Sequence, residues 1–192
     1  PADAFGIGSK RIEQAVRFRE RLAIDATAYR LIHGEADRLP SLVVDRYSDY
    51  LVLQALSQGM DRLLPEITAL LVEVLRPAGI LARNDPRVRV LEGLEQKVEV
   101  LYGTVPPTIA VREGHVDYQV DPHRGQKTGL FLDQRENHLM ARSYARGRVL
   151  DGFSYQGGFA LHAARAASEV VAVETSAEAV AHLARNPARH GV

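Results

Sequence analysis

Residues 148–174 read RVLDGFSYQGGFALHAARAASEVVAVE. A short apolar run gives way to a polar turn with two adjacent glycines, then to an alanine-rich stretch at helical spacing, then to a second apolar run. No other part of the chain constrains the fold as strongly. Strands that alternate with single helices belong to a parallel, doubly wound sheet. The pattern predicts strand 148–153, helix 159–167, strand 169–174 and helix 177–185, the last opened by a Thr175-x-x-Glu178 capping-box sequence. A Rossmann-type half needs more strands than these two. The chain also opens on Pro1 without an initiator methionine and stops at Val192, so it is expected to be a fragment of a longer protein.

The glycine turn carries the chemistry. A strand ending at Phe153 delivers the backbone to the carboxyl edge of the sheet, where such folds bind ligands. Gly157 and Gly158 permit close backbone approach and positive φ, and the helix that follows offers unpaired N–H groups. A tight turn that needs glycine only for packing would look the same. The second strand ends in Glu174, placed to accept hydrogen bonds from both hydroxyls of a ribose; a solvated strand-end acid is the plainer alternative. Dinucleotide domains use the same acid with a phosphate-cradling G-x-G-x-x-G, which is absent, and this argues against a nicotinamide dehydrogenase. A ligand with adenosine and no phosphate fits better, and S-adenosylmethionine is such a ligand. Phe153 and Tyr155 flank the turn, either against the adenine or in the core.

Upstream, apolar residues at Ile12, Ala15, Val16, Phe18, Leu22 and Ala23 predict a helix over residues 10–25 with arginines on its other face. LPSLVVDRYSDYLVLQAL reads as a hairpin with a Ser48-Asp49 turn. Residues 60–75 predict one long helix, with Pro65 near its first turn and its end at Pro77 and Gly79. Strand-like pieces at 80–83, 97–102, 108–112 and 116–120 complete an α+β domain over 29–120. The polar turn DPHRGQKTG then leads to a helix over 133–144. Six Lys/Arg against three acids make 121–148 locally basic, although the whole chain balances 24 basic with 24 acidic residues. Any surface for RNA phosphates is therefore local.

The chain has no cysteine, which excludes disulfides, thiolate metal sites and a cysteine nucleophile within it. Its seven histidines are scattered without a carboxylate partner at ligand spacing. His162 is expected to pack, and no metal is expected. No apolar stretch approaches the roughly 20 residues that span a bilayer, no signal peptide is evident, and the cytoplasm is the default location.

GQKTGLFLDQREN followed by VLDGFSYQGGFALHAA resembles the bacterial class I methyltransferases that make 5-methylcytosine in large-subunit ribosomal RNA. The likeness extends back through YRLIHGEADRLPSLVVDRYSDYLVLQ. It implies an α/β and α+β architecture: a linker helix (1–28) after an N-terminal PUA domain, a central α+β domain (29–120), and the first part of a Rossmann-like class I methyltransferase domain (121–192). It further implies that Asp151, Phe153, Ser154, Tyr155, Gly157 and Gly158 floor an S-adenosylmethionine site and that Glu174 holds the ribose. Lys127, Phe131, Asp133 and Arg135 would close over the methionine end. Ribosomal RNA is the implied partner, and the apolar face at 60–75 leaves a homodimer open. Members often carry cysteine where this chain has Gly152, and the Asp-Pro-Pro and catalytic-cysteine segments of the family are expected beyond Val192. The alternative is an RNA-binding or ribosome-assembly module with a methyltransferase-like fold and no catalysis.

Overall fold

The computed structural model describes residues 2–186, with side chains from residue 8 onward; His190 and the expected end at Val192 lie outside the described residues. The chain divides into two compact units, residues 1–109 with 120–130 and residues 110–119 with 131–192.

The first unit is built on a five-stranded sheet in the order β1-β2-β3-β4-β5. Its strands are β1 (Ala28–His33), β2 (Leu42–Tyr47), β3 (Tyr50–Ala55), β4 (Gly79–Asn84) and β5 (Lys97–Gly103). All neighbours are antiparallel except β3 and β4. The expected hairpin is β2–β3, closed by the Tyr47–Tyr50 pair around Ser48 and Asp49. The parallel β3–β4 pair requires a crossover, which α2 (Gln58–Arg62) and α3 (Leu64–Leu75) provide. Helix α1 (Ala2–Arg21) packs beside α3 and β1. Alternate strand residues such as Val44, Leu53, Ile80 and Ala82 meet Ile12, Ala15, Ile67 and Leu71 from the helices in one core. Burial of each large aliphatic there contributes about 1.5–3 kcal/mol.

Two expectations change here. The helix predicted over 60–75 is broken at Leu63, which has φ −88 and ψ 1 and closes α2 before α3 begins. Pro65 is the cause: it has no N–H to give the carbonyl four residues back, and its ring crowds that carbonyl. Met60, Leu64, Ile67 and Leu71 of this stretch are buried. The N-terminal helix ends at Arg21 rather than 25, with Ala23 at φ 46, and Phe18 and Leu22 stand at the surface. A short helix α4 (Val88–Leu91) precedes β5.

Strands β6 (Ile109–Glu113) and β7 (Val116–Val120) form a hairpin that accompanies the second unit. A single 3-10 turn at Leu132–Gln134 opens α5 (Arg135–Tyr144). Then come β8 (Arg148–Gly152), α6 (Gly158–Ala163), β9 (Glu169–Val173) and α7 (Ala177–Arg185). β8 and β9 are parallel and in register from Arg148–Glu169 to Gly152–Val173, as the alternation predicts. The cap of α7 is a correction. Ser176, not Thr175, is the N-cap, and its Oγ accepts the Ala179 N–H at 3.3 Å; Thr175 is spent on Glu174.

The unit boundary also falls elsewhere than a cut between 120 and 121. Residues 110–119 go with the second unit and 120–130 return to the first, held there by side chains of the sheet. Arg83 donates to the carbonyls of Pro122 (2.8 Å) and Gly125 (3.1 Å). Asp121 Oδ1 accepts the N–H groups of His123 and Arg124. At the loop's far end Thr128 Oγ1 donates to Asp45 Oδ2 at 2.6 Å and lies 2.9 Å from the Tyr47 hydroxyl, which accepts the Leu130 N–H at 3.2 Å. With Thr128's only proton given to the carboxylate, Tyr47 must donate to Thr128. The bonds form a directed chain, Leu130 N–H to Tyr47 to Thr128 to Asp45. Burial and the Asp45 charge push the Tyr47 pKa well above the phenol range, which keeps that proton in place. Asp45 is fully buried and also accepts Arg30 Nε and one of its terminal nitrogens at 2.8 and 3.1 Å.

Candidate cofactor turn

The carboxyl ends of β8 and β9 lie side by side, and the turn 153–157 leaves from this edge. Its backbone is unusual. Phe153 (φ 62), Tyr155 (φ 50) and Gly157 (φ 85) are all left-handed, and two of the three carry side chains that disfavour that region. Such conformations cost about 1–3 kcal/mol each and persist where the surroundings impose them. The imposed bonds are identifiable. The Ser154 N–H donates to the Val173 carbonyl at 3.0 Å, and the Gly157 N–H to the Ser154 carbonyl at 2.8 Å. The Tyr155 N–H donates to Glu174 Oε2 at 2.8 Å.

Glu174 is thus the strand-end acid that the sequence singles out, and it reaches back to the turn. Its Oε1 accepts the N–H groups of Thr175 (2.7 Å) and Ser176 (2.9 Å) and the Thr175 hydroxyl. The Ser176 and Tyr155 N–H bonds hold its pKa below the ordinary carboxylate value. Among the described residues Oε2 carries only the Tyr155 bond, so it retains a lone pair for a further donor. Asp151 Oδ2 accepts the Ala160 N–H at 2.9 Å and so caps α6 from the preceding strand. Burial outweighs that bond and raises the Asp151 pKa. The surroundings thus disfavour its charged form, a pattern typical of functional positions.

Phe153 does not fill the core: its ring is 90% exposed at the strand edge. Tyr155 is half-buried, edge-on to Phe131 at 5.2 Å between ring centroids, and its hydroxyl accepts from Gln156 Nε2 at 3.2 Å. Ser154 is buried. Asp133 is exposed, and Arg135 pairs with its neighbour Glu136 at 2.9 Å. Lys127 belongs to the first unit, at φ 56 in the anchored loop. Both turn glycines have packing reasons as well. A Cβ on Gly157 would lie 2.2 Å from Leu183 Cδ1, and one on Gly158 would lie 2.5 Å from Cε1 and Nε2 of His138. A Cβ at Gly152 would meet nothing within 4 Å, so a side chain there would be accommodated.

No histidine stands at ligand spacing from a carboxylate in the sequence, yet the fold brings two of them onto one carboxylate. Glu113 Oε1 accepts His138 Nδ1–H at 2.7 Å and His162 Nε2–H at 3.1 Å, all three side chains buried. Burial works against the Glu113 charge, but the two histidine bonds prevail and hold its pKa at about 2. Sequence reading misses the cluster because 113, 138 and 162 come from β6, α5 and α6, and no spacing rule joins them. Their ligand-type atoms lie within 4.8 Å of one another. A metal-bound imidazole normally passes its second N–H to an acceptor. His162 Nδ1 is buried with no hydrogen-bond partner among the described residues, so hydrogen bonding accounts for this trio better than a cation does.

Among the described residues no helix is long and apolar enough to cross a membrane. No protein-family profile matches the chain. It is 40% identical over 187 residues to a "Ribosomal RNA large subunit methyltransferase I" from Shigella flexneri, which covers 94% of this chain and 47% of that protein. The namesake from Tolumonas auensis is 39% identical over 177 residues, covering 89% and 45% respectively. The chain therefore spans about half the length of the curated relatives it matches. Among solved structures, a Streptococcus mutans protein assigned as a SAM-dependent methyltransferase superposes with a TM-score of 0.84 at 24% identity, over 98% of this chain and 50% of that one. A protein assigned as a methyltransferase and crystallised with S-adenosylhomocysteine also gives 0.84 at 24% identity, over 98% and 49%. A tRNA m1G37 methyltransferase from M. jannaschii gives 0.62 at 16% identity, over 94% and 49%. These likenesses establish the fold: a mixed α/β chain with the Rossmann-like arrangement of the S-adenosylmethionine-dependent methyltransferases.

Proposed function

We propose that this chain supplies the central domain and the opening part of the catalytic domain of an S-adenosylmethionine-dependent rRNA methyltransferase. The observation that carries the reading is the strained turn 153–157 at the carboxyl edge of two parallel strands, tied to Glu174 through the Tyr155 N–H. Glu174 Oε2 is available to a ribose hydroxyl, and the exposed Phe153 ring offers a face to an adenine. Phe131, Asp133 and Arg135 are proposed for the methionine end. The names of the curated relatives support the rRNA substrate, and the structural neighbour crystallised with S-adenosylhomocysteine supports the cofactor. The bound cofactor supplies an electrophilic methyl group; the residues here bind and orient it.

The finer reading is methylation of cytosine C5 in large-subunit rRNA. That reaction needs a nucleophile, normally a thiolate, to add at C6. With no cysteine in these 192 residues, the proposal places it outside them. Calorimetric titration of the full-length protein with S-adenosylhomocysteine tests the cofactor site. Saturable binding, weakened about tenfold or more in Glu174→Ala, is expected; an absence of binding refutes the reading. Mass spectrometry of rRNA from cells lacking the protein tests the product, and unchanged 5-methylcytosine would exclude C5 as the target atom.

A further inference from the structure

The Glu113 cluster lies outside the turn yet touches it. His138 has its Nδ1 edge on the Glu113 carboxylate and its opposite edge on the Cα of Gly158, so close that a Cβ there would sit 2.5 Å from Cε1 and Nε2. The ring of Phe159 stands edge-on to the same imidazole at 4.6 Å. Gly158 is the first residue of α6, directly after the turn. The start of α6 is thus fixed from two sides, by Asp151 bonding the Ala160 N–H and by His138 pressed on Gly158. His162, inside α6, bonds the same oxygen of Glu113. One carboxylate on the β6–β7 hairpin therefore sets both the wedge and the helix it bears on.

We infer that Glu113 and His138 are positioning residues for the cofactor turn: the carboxylate seats the imidazole, and the imidazole sets the position of the 157–158 backbone that the ligand approaches. A buried polar cluster is a poor source of net stability, because apolar replacements of similar volume do as well. What it supplies is one geometry, since each N–H···O bond fixes a distance and a direction. This inference rests on the cofactor reading above.

The test uses the full-length protein, with S-adenosylhomocysteine affinity and the urea midpoint measured on each variant. In His138→Asn the side-chain amide stands where Nδ1 stood; it keeps the Glu113 bond and removes the ring edge from Gly158. Affinity is expected to fall about five- to tenfold with a near-native midpoint, and Glu113→Gln to fall similarly. Gly158→Ala should weaken binding more. The pair Gly158→Ala with His138→Asn should recover part of that loss, because the ring that the new Cβ strikes is gone. In 1H–15N spectra of histidine rings, the ligand should shift His138 and leave His33 unmoved.

Wild-type binding with unchanged affinity in both His138→Asn and Glu113→Gln overturns this inference alone. Failure of the wild type to bind overturns the cofactor reading and this inference with it. A rise in midpoint with Zn2+ that Glu113→Gln abolishes would overturn it in favour of a metal centre. Should His138→Asn not fold, Glu113→Gln and the ring shifts decide.

Discussion

Thr128→Val is the sharpest probe of the anchored loop, because it changes hydrogen bonding at almost constant shape. The residue is buried, and its hydroxyl stands between Asp45 at 2.6 Å and Tyr47 at 2.9 Å. Valine loses the bond to a charged acceptor, about 1.5–3 kcal/mol, and leaves the Tyr47 hydroxyl without its acceptor, about 1–3 kcal/mol more. Asp45 keeps Arg30, so the sum is discounted to about 2–4 kcal/mol. Tyr47→Phe alone removes the acceptor of the Leu130 N–H but leaves Thr128 bonded to Asp45; about 1–2 kcal/mol is expected. In the double variant no hydroxyl is orphaned, so its cost should fall short of the summed singles by at least about 1 kcal/mol. Urea unfolding gives the three free energies, and amide exchange at Leu130 reports the loop itself, which should lose protection in every variant. Additivity within about 0.5 kcal/mol, or full protection of Leu130 in Tyr47→Phe, would refute the directed chain.

Other expectations concern the second unit. Gly157→Ala places a methyl group 2.2 Å from Leu183 Cδ1 at φ 85 and should cost about 2–4 kcal/mol, partly recovered when Leu183→Ala makes room; an unperturbed unfolding midpoint would contradict the turn geometry. Asp151 has its pKa raised by burial, so it lowers native stability as pH climbs above its unfolded value of about 3.8. Asp151→Asn should then be equal to or more stable than wild type at pH 7, with the gain vanishing below that value, while cofactor affinity drops. Glu113 works with the opposite sign. Its pKa is depressed from 4.5 to about 2, so its contribution is complete above 4.5 and is lost as pH falls through 2. Unfolding free energies measured against pH should show Glu113→Gln flattening that acid limb.

The elements that the sequence reveals are those with a strong local period. β8, α6, β9 and α7 follow from alternating apolar runs and glycine, and the β2–β3 hairpin from its Ser48-Asp49 turn. Glu174 is legible because a strand-end acid after a glycine turn is a local pattern. Its bond to the Tyr155 N–H is not, since it depends on how β8 and β9 pair. The break at Leu63 is masked in the sequence by the apolar stripe that runs through both helices, although Pro65 lies in the first turn of the second. Glu113, His138, His162, Asp45 and Thr128 leave no sequence signal: each is an ordinary residue whose role comes from a partner 25 to 83 positions away. The packing of His138 and Leu183 on the two turn glycines is hidden for the same reason.

The return of residues 120–130 to the first sheet bears on the order in which the protein can be made. Asp45 leaves the ribosome 83 residues before Thr128. At about 5–20 residues per second that is a delay of about 4–17 s. For that interval the nascent sheet holds a carboxylate with Arg30 as its companion and its last donor still unsynthesised. The hairpin that will serve the second unit is translated in between. The first unit therefore cannot finish folding on an uninterrupted stretch of chain, and a clone cut at residue 120 would keep all five strands yet leave Tyr47 and Asp45 facing an empty seat.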